Sequence, residues 1–293
     1  FAEREDGYTE RGNMQLFTQA LPEKCNLYLA SDLHVGSVLT DYDRIGQLVD
    51  MVRSKNSNRL IVLGDLAESI AVDDKRFDEA TTDKTLMTPM RQYEKVTEIL
   101  RPVAKQILYI NDGNHDYKLS KYVNFIRDVV CKQLEVPYGT YSSKLTVTDS
   151  KGKKRFKLFT THGYGNVSSS ADDPIRRKSN MKLSLKRKLA GKSADCVLQA
   201  MGHTHKLLVA RPEKSLYLTD NSDTIKQHYT RSTQDSDYIP EHLRWYVNTG
   251  SFLRLYALGC SGYAERFGYD PVELGAVQVE IDGGIVDVKK VLM

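Results

Sequence analysis

Along most of the chain, short apolar runs stop abruptly in polar residues too chemically loaded for plain turns. "LYLA" at 27–30 runs into Ser31-Asp32-Leu33-His34, and "LIVL" at 60–63 into Gly64-Asp65. "ILYI" at 107–110 precedes Gly113-Asn114-His115-Asp116, "KLFT" at 157–160 precedes Thr161-His162-Gly163, and "CVLQAM" at 196–201 precedes Gly202-His203-Thr204-His205. Runs of this length without strict alternation predict strands buried on both faces. Between them, apolar residues recur at helical spacing. Ile45, Leu48, Val49 and Val52 predict a helix over 41–54, and Tyr93, Val96, Thr97, Leu100 and Ala104 one over 90–105. Tyr122, Phe125, Ile126 and Val129 predict a third over 121–134. Strand–helix alternation of this kind predicts an α/β layered fold. Beyond His205 the pattern changes to short strands, "KLLVA", "SLYLT" and "LRWYV", read as core strands plus one loop. The last, "GAVQVEIDGGIVDVKKVL", reads as a hairpin turning at Asp282-Gly283-Gly284. No repeat or linker interrupts the pattern, which predicts a single domain over 1–293 with insertions near 67–89 and 166–192.

At 40% hydrophobic and 27% charged residues, the chain has the make-up of a soluble globular protein. No run approaches the roughly 18 apolar residues of a membrane span, and the N-terminal residues have no apolar signal core. Cys25, Cys131, Cys196 and Cys260 lie far apart with no CxxC pair. A disulfide framework or zinc finger is therefore not expected, and a reducing, cytoplasmic setting is. Charge is segregated. Residues 174–193 hold eight basic side chains and no acid, Lys186, Arg187 and Lys188 among them. "KGKKRFK" at 151–157 reads as a basic hairpin turn, while 68–83 leans acidic through Glu68, Asp73, Asp74, Asp78, Glu79 and Asp83 against Lys75 and Arg76. Runs of one sign are usually solvated faces, but positive ones can also meet phosphates.

Ligands of α/β sheets bind beyond the carboxyl ends of the strands. Five such ends deliver Asp32 and His34, Asp65, Asn114 and His115, His162, and His203 with His205, using five of the chain's seven histidines. Each motif alone is unremarkable: a lone Gly-Asp is almost always a turn. His203 and His205, at i and i+2, are expected to face one side of an extended segment. All five motifs in order, each after a strand, point instead to one nest of carboxylate, imidazole and amide donors without thiolate. Such donors suit Mn, Fe, Zn or Ni better than Cu(I) or Ca. They are too many for one ion. Two ions roughly 3.5–4 Å apart need a bridging carboxylate, and Asp65, on a central strand after Gly64, is the natural one.

These residues resemble the calcineurin-like metallophosphoesterase superfamily. Its pattern of Asp-x-His, Gly-Asp, Gly-Asn-His-Asp or Glu, His, and Gly-His-x-His is present in order from Asp32 to His205, and "VNTGSF" at 247–252 is similar to a late turn of many members. The resemblance implies a two-sheet β-sandwich flanked by helices, a four-layer α/β/β/α arrangement. It implies two divalent ions, manganese first, with Fe, Zn, Ni or Mg as alternatives. Asp32, His34 and His205 would hold one ion, Asn114, His162 and His203 the other, with Asp65 bridging. His115 would protonate the leaving group, and Asp116 would orient His115. The implied nucleophile is a hydroxide held between the ions.

Departures from the pattern narrow the substrate. "GDLAES" lacks the Arg that grips monoesters in protein phosphatases, and no Tyr follows Asp65 before Tyr93 as purple acid phosphatases require. Lipid pyrophosphohydrolases usually carry Arg where His115 stands. "SDLHVGS" and "GNHD" look most like the phosphodiesterase and nuclease branches. The expectation is therefore a phosphodiesterase acting on DNA or RNA, with Lys186, Arg187 and Lys188 on the polymer's phosphates and Tyr117 or Tyr164 stacking on a base. The alternatives are a phosphomonoesterase or a small- or cyclic-nucleotide phosphodiesterase, and a metal-free interaction scaffold of the same fold. No membrane partner is expected.

Overall fold

The computed structural model describes residues 14–70, 74, 77–234, 237–260 and 263–293. The N-terminal residues and Asp73, Lys75 and Arg76 of the acidic stretch lie outside the described residues. In chain order the elements are β1 (Gln15–Ala20), β2 (Lys24–Ala30), α1 (Tyr42–Arg53), β3 (Arg59–Leu63), α2 (Pro89–Leu100), β4 (Ile107–Asn111), α3 (Asn114–Lys118) and α4 (Lys132–Leu134). They continue with β5 (Ser142–Thr148), β6 (Lys154–Thr161), α5 (Pro174–Leu189), β7 (Leu198–Met201), β8 (Leu207–Ala210), β9 (Leu216–Asp220) and β10 (Ile225–Tyr229). The last are β11 (Trp245–Thr249), α6 (Tyr263–Arg266), β12 (Gly275–Asp282) and β13 (Gly284–Leu292).

One sheet has the order β13-β12-β2-β3-β4, the other β1-β5-β6-β7-β11-β8. β2, β3 and β4 run parallel, as do β6, β7 and β11. The sheets meet face to face. Leu27, Leu29, Ile61 and Leu63 of the first pack with Leu145, Leu158, Leu198 and Val247 of the second. The opposite face of the first sheet, with Tyr28, Ala30, Leu60 and Val62, is covered by Ile45, Leu48 and Val52 of α1 and by Tyr93, Val96 and Leu100 of α2. On the outer face of the second sheet, Leu185 and Leu189 of α5 pack against Phe159, Met201, Leu208 and Tyr246. The expected four layers are therefore present. β2 also shows why its sequence does not alternate: Leu27 and Leu29 face one core, Tyr28 and Ala30 the other.

Three elements differ from expectation. The helix expected over 90–105 stops as α-helix at Leu100 and continues as a 3₁₀ turn over Arg101–Gln106. Pro102 has no N–H to continue the α-helical ladder. Of the helix expected over 121–134, Ile126–Cys131 is π-helical and runs into α4, while Tyr122 and Val123 are exposed. "SLYLT" is not a core strand: β9 pairs with β10 in a separate exposed hairpin. The β12–β13 hairpin turns at Gly283, whose φ of 70° explains the glycine there.

The loop that follows β4 carries an unusual carboxyl. Asp112 is buried, accepts from Tyr138 Oη and from Asn124 Nδ2 (3.3 Å), and leaves Oδ1 without a hydrogen bond among the described residues. Burial pushes its pKa up to about 7, against the hydrogen bond from Tyr138. A folded-state pKa above the unfolded value means that the native state binds more protons than the unfolded one between about pH 4 and 7, so stability falls as pH rises through that window. Asp112→Asn should remove that dependence, whose full size is of the order of 4 kcal/mol. Urea midpoints of chelator-treated wild type and variant, measured from pH 4 to 7.5, check this; parallel curves would show that Asp112 ionises normally.

Candidate metal centre

The carboxyl ends of β2, β3, β4, β6 and β7 open onto one place, and the loops that leave them are tied together by backbone. Asp32 N–H donates to Gly64 O (2.9 Å), His34 N–H to Asp65 O (3.1 Å) and Val35 N–H to Leu66 O (3.0 Å). The end of β11 and the loop after it buttress both sides. Asn248 Nδ2 donates to Gly202 O (3.3 Å) and Thr204 Oγ1 (2.5 Å), and Ser251 Oγ to Asp32 O (3.1 Å). A side chain at Gly113 would put its Cβ 2.0 Å from Asp65 Oδ1, so only glycine lets the loop after β4 approach that carboxylate.

Backbone strain concentrates here. Asp32, His34, Asp65, His203 and His205 have φ of 54°, 49°, 51°, 69° and 53°. Left-handed conformations at non-glycine residues cost of the order of 1–3 kcal/mol each and persist only where the surroundings enforce them. The two histidines of the Gly-His-x-His motif therefore do not lie on an extended segment, as their spacing suggests. Each sits in its own left-handed turn and is aimed separately.

The seven expected donors converge as two groups. In the first, His34 Nε2 and His205 Nε2 are 3.1 Å apart, and Asp32 Oδ1 lies 3.3 Å from His205 Nε2 and 3.9 Å from His34 Nε2. In the second, His162 Nε2 lies 3.2 Å from Asp65 Oδ2 and 3.0 Å from Asn114 Oδ1, and His203 Nδ1 lies 2.6 Å from Asn114 Oδ1. Asp65 Oδ2 is also 4.0 Å from His34 Nε2, so one oxygen faces both groups.

These donors fit divalent cations. Ligands about 2.1 Å from one ion stand roughly 3–3.5 Å from each other. Asp32 directs Oδ2 to His203 N–H (3.0 Å) and Ser31 Oγ, while Oδ1 is buried without a hydrogen bond among the described residues. His162 donates from Nδ1 to Leu63 O (2.7 Å), which leaves Nε2 as a lone pair aimed at two oxygens. Lone pairs facing lone pairs call for a positive charge between them. Without a cation, protons fill that need. Burial would lower His162, but the Asp65 carboxylate raises it to about 9. Burial would likewise lower His34, yet the Glu68 carboxylate lifts it well above its ordinary value. Burial opposes the ionisation of Asp32 and Asp65, and the surrounding imidazoles hold both well below the carboxylate range. Binding of a cation must therefore displace protons.

The structure adds Glu68 and moves Asp116. Glu68 Oε2 accepts from His34 Nδ1 (2.8 Å), which turns Nε2 toward the other donors. Burial alone would raise the Glu68 carboxyl, but His34 draws it down to about 2. The Glu68 backbone carbonyl accepts from His115 Nδ1 (2.6 Å), leaving His115 Nε2 for the cleft. Asp116, expected to orient His115, instead accepts from Gly113 N–H (2.9 Å), Tyr93 Oη (2.7 Å) and Leu66 N–H (3.4 Å). As the third residue of α3 it closes back on the helix start, and adjacent residues of a helix do not face each other.

The expected phosphate contacts on α5 are largely engaged within the protein. Lys186 Nζ pairs with Glu213 (2.8 Å), and Lys188 Nζ donates to Tyr164 O (3.1 Å) and lies over its ring at 4.7 Å. Arg187 is exposed. Tyr164 thus already carries a cation on its ring, and Tyr117 packs edge-on to Tyr141 at 6.3 Å.

Two clefts open over the donors. One, of about 830 Å³, is lined by His34, Asp65, Asn114, His115, Phe77 and Phe267 among others. The second, of about 650 Å³, runs toward Lys206, Arg254 and Tyr269. They share Glu68, Thr81, His203, His205 and Leu253, so they meet above the two histidines.

No helix among the described residues is long and apolar enough to cross a membrane. No protein-family model matches the chain, and no curated protein matches it. Among solved structures it is similar to the hypothetical protein PH1004 from Pyrococcus horikoshii OT3, with a TM-score of 0.43 at 11% identity over 92% of this chain and 88% of that one. Vps29 of Chaetomium thermophilum gives a TM-score of 0.32 at 12% identity over 91% and 96%. The NAD nucleotidase NadN of Haemophilus influenzae gives 0.40 at 11% identity over 92% of this chain and 50% of its own. Likenesses at these scores carry no argument about activity, and the site stands on its own geometry.

Proposed function

We propose that the protein is a metallophosphoesterase with two divalent ions that hydrolyses small phosphodiesters. The observation that carries this reading is Asp65 Oδ2, which faces His34 of one donor group and His162 of the other at 4.0 and 3.2 Å. When bound, the ions would supply Lewis acidity to the phosphoryl oxygens and activate water near neutral pH. Asp32, His34 and His205 would hold one, Asn114, His162 and His203 the other. Glu68 fixes the tautomer of His34, and Leu63 O fixes that of His162. His115, its Nδ1 anchored on Glu68 O, presents Nε2 to protonate the departing oxygen.

A diester is favoured over a monoester because two clefts with different linings meet above His203 and His205, room for a second substituent on phosphorus. A small substrate is favoured over a nucleic acid by the contacts that engage Lys186 and Lys188. The deciding measurement is a substrate panel on protein reconstituted with manganese: p-nitrophenyl phosphate, its bis ester, cyclic nucleotides, and single- and double-stranded DNA. No hydrolysis of any ester would sink the reading and leave an interaction scaffold.

The α5 cations give a separate test. If Lys186, Arg187 and Lys188 each neutralised a phosphate, changing all three to Gln would flatten log affinity against log salt by roughly 2–3 units. With Arg187 the one of the three that has no partner among the described residues, we expect a change no greater than about 1 unit and unaltered hydrolysis of the bis ester. A flattening of 2 or more would restore the nucleic-acid reading.

A further inference from the structure

His115 owes its anchorage to one peptide group, and that group is held from behind. His115 Nδ1 donates to the Glu68 carbonyl (2.6 Å). The N–H of the same peptide unit belongs to Ser69 and donates to Gln92 Oε1 (2.8 Å). A trans peptide is planar, so its C=O and N–H point in opposite directions and turn together. Fixing the N–H on Gln92 therefore fixes the carbonyl on His115. Gln92, 1% exposed on α2, has its own amide set by Nε2 donating to Leu86 O (2.9 Å). The next residue of α2 grips Ser69 as well. Ser69 Oγ lies 2.6 Å from Tyr93 Oη, which donates in turn to Asp116 Oδ1 (2.7 Å). Ser69 needs holding, because its φ of 55° is left-handed and persists only where the surroundings enforce it. Relaxation of that angle would rotate the 68–69 peptide and carry the Glu68 carbonyl off His115.

We propose that Gln92 and Tyr93 are positioning residues for His115: by clamping Ser69 they keep the Glu68 carbonyl on Nδ1 and so reserve Nε2 for proton transfer. The proposal rests on the phosphoesterase reading for the reaction, and it adds what aims the proton donor. Protonated His115 gives the Nε2 proton to the departing oxygen and is left as the neutral ring with its remaining proton on Nδ1. The Glu68 carbonyl accepts from Nδ1 before and after that transfer, so it favours the tautomer the reaction must produce. Neither Gln92 nor Tyr93 lines the two clefts over the donors, so neither meets the substrate directly. Glu68 N–H is tied separately to Val35 O (2.9 Å), which keeps the Glu68 carboxylate on His34 when the clamp is removed.

Gln92→Met tests the clamp, because it keeps the length of the side chain and removes both of its hydrogen bonds. Nitrogen NMR of the His115 ring in chelator-treated protein should show the Nδ1–H tautomer dominant in wild type and a shift toward Nε2–H in the variant. On manganese-loaded protein, kcat for an alkyl diester should fall about 10- to 100-fold, the usual cost of losing an outer supporting partner. KM and metal content should stay unchanged, and the loss should be smaller for the bis-p-nitrophenyl ester. Gln92→Glu keeps an oxygen for Ser69 N–H and should recover most of both effects. If Gln92→Met does not fold, Tyr93→Phe decides by the same readouts, since it loses only the hydroxyl and keeps its ring stacked on Phe125 at 4.9 Å. An unchanged tautomer, or equal losses for the two esters, would overturn the clamp. A loss of bound metal would also overturn it, by moving its effect to His34. Failure of the phosphoesterase reading shows separately, as the tautomer shift in a protein whose wild type hydrolyses no ester.

Discussion

Asp65→Asn is expected to abolish hydrolysis and leave the protein with one tightly held divalent ion or none. The two oxygens of Asp65 have different tasks. Oδ1 accepts the His115 backbone N–H at 2.9 Å, and Oδ2 faces the imidazoles of both donor groups. In the amide, the oxygen keeps the His115 N–H and the NH₂ takes the place of Oδ2, pointing hydrogens where cations would sit. The fold should survive, because the backbone bond is retained and the side chain keeps its shape. Turnover should fall by more than about 100-fold, the upper end for changes that only touch a ligand's outer partner. A second readout does not depend on activity. In chelator-treated protein the Asp65 carboxylate lifts His162 to about 9, so its titration, followed by NMR, should move down toward the ordinary histidine value of about 6.5 in the variant. Two tightly bound ions in Asp65→Asn by elemental analysis would end the bridging assignment.

The donors were legible in the sequence because each stands within a few residues of a strand end, and strand ends can be read from apolar runs. Asp32, Asp65, Asn114, His162, His203 and His205 need no knowledge of packing to be gathered, only the rule that parallel strands deliver their carboxyl ends to one side. The same runs gave an α/β layered fold with strands buried on both faces, as Leu27 and Tyr28 of one strand, both apolar, face different cores; the two-sheet, four-layer arrangement came from the family resemblance. What remained hidden depends on directions that spacing does not encode. Asp116 sits next to His115 in sequence, yet one helical step turns its carboxylate back onto Gly113. Glu68 gave one signal, an acid three residues after the Gly-Asp. Its role is visible only once the turn carries its carboxylate to His34 and its carbonyl to His115. The eight basic residues of 174–193 gave a charge pattern, but not the Glu213 and Tyr164 that engage Lys186 and Lys188.

His115→Ala should keep both ions yet cut turnover by about 10²–10⁴-fold, the usual worth of a positioned proton donor. Metal binding survives because the contribution of His115 to the donor set is its backbone N–H on Asp65 Oδ1, which alanine also provides. What is lost is the ring, whose Nδ1 is held 2.6 Å from Glu68 O and whose Nε2 is left to the cleft. Glu68 keeps its carboxylate on His34 Nδ1 at 2.8 Å, so the neighbouring donor should stay oriented. The loss should depend on the leaving group. An alkoxide leaving from a nucleoside diester is strongly basic and needs a proton as the bond breaks, whereas p-nitrophenolate departs with little help. Rates for a graded series of aryl and alkyl diesters should therefore fall more steeply with leaving-group pKa in the variant than in wild type, with metal content equal by elemental analysis. Equal losses across the series would show that His115 positions the substrate and leaves the proton to solvent. A drop in bound metal would show that the ring supports the donor set itself, through its edge-on packing against His34 at 4.8 Å.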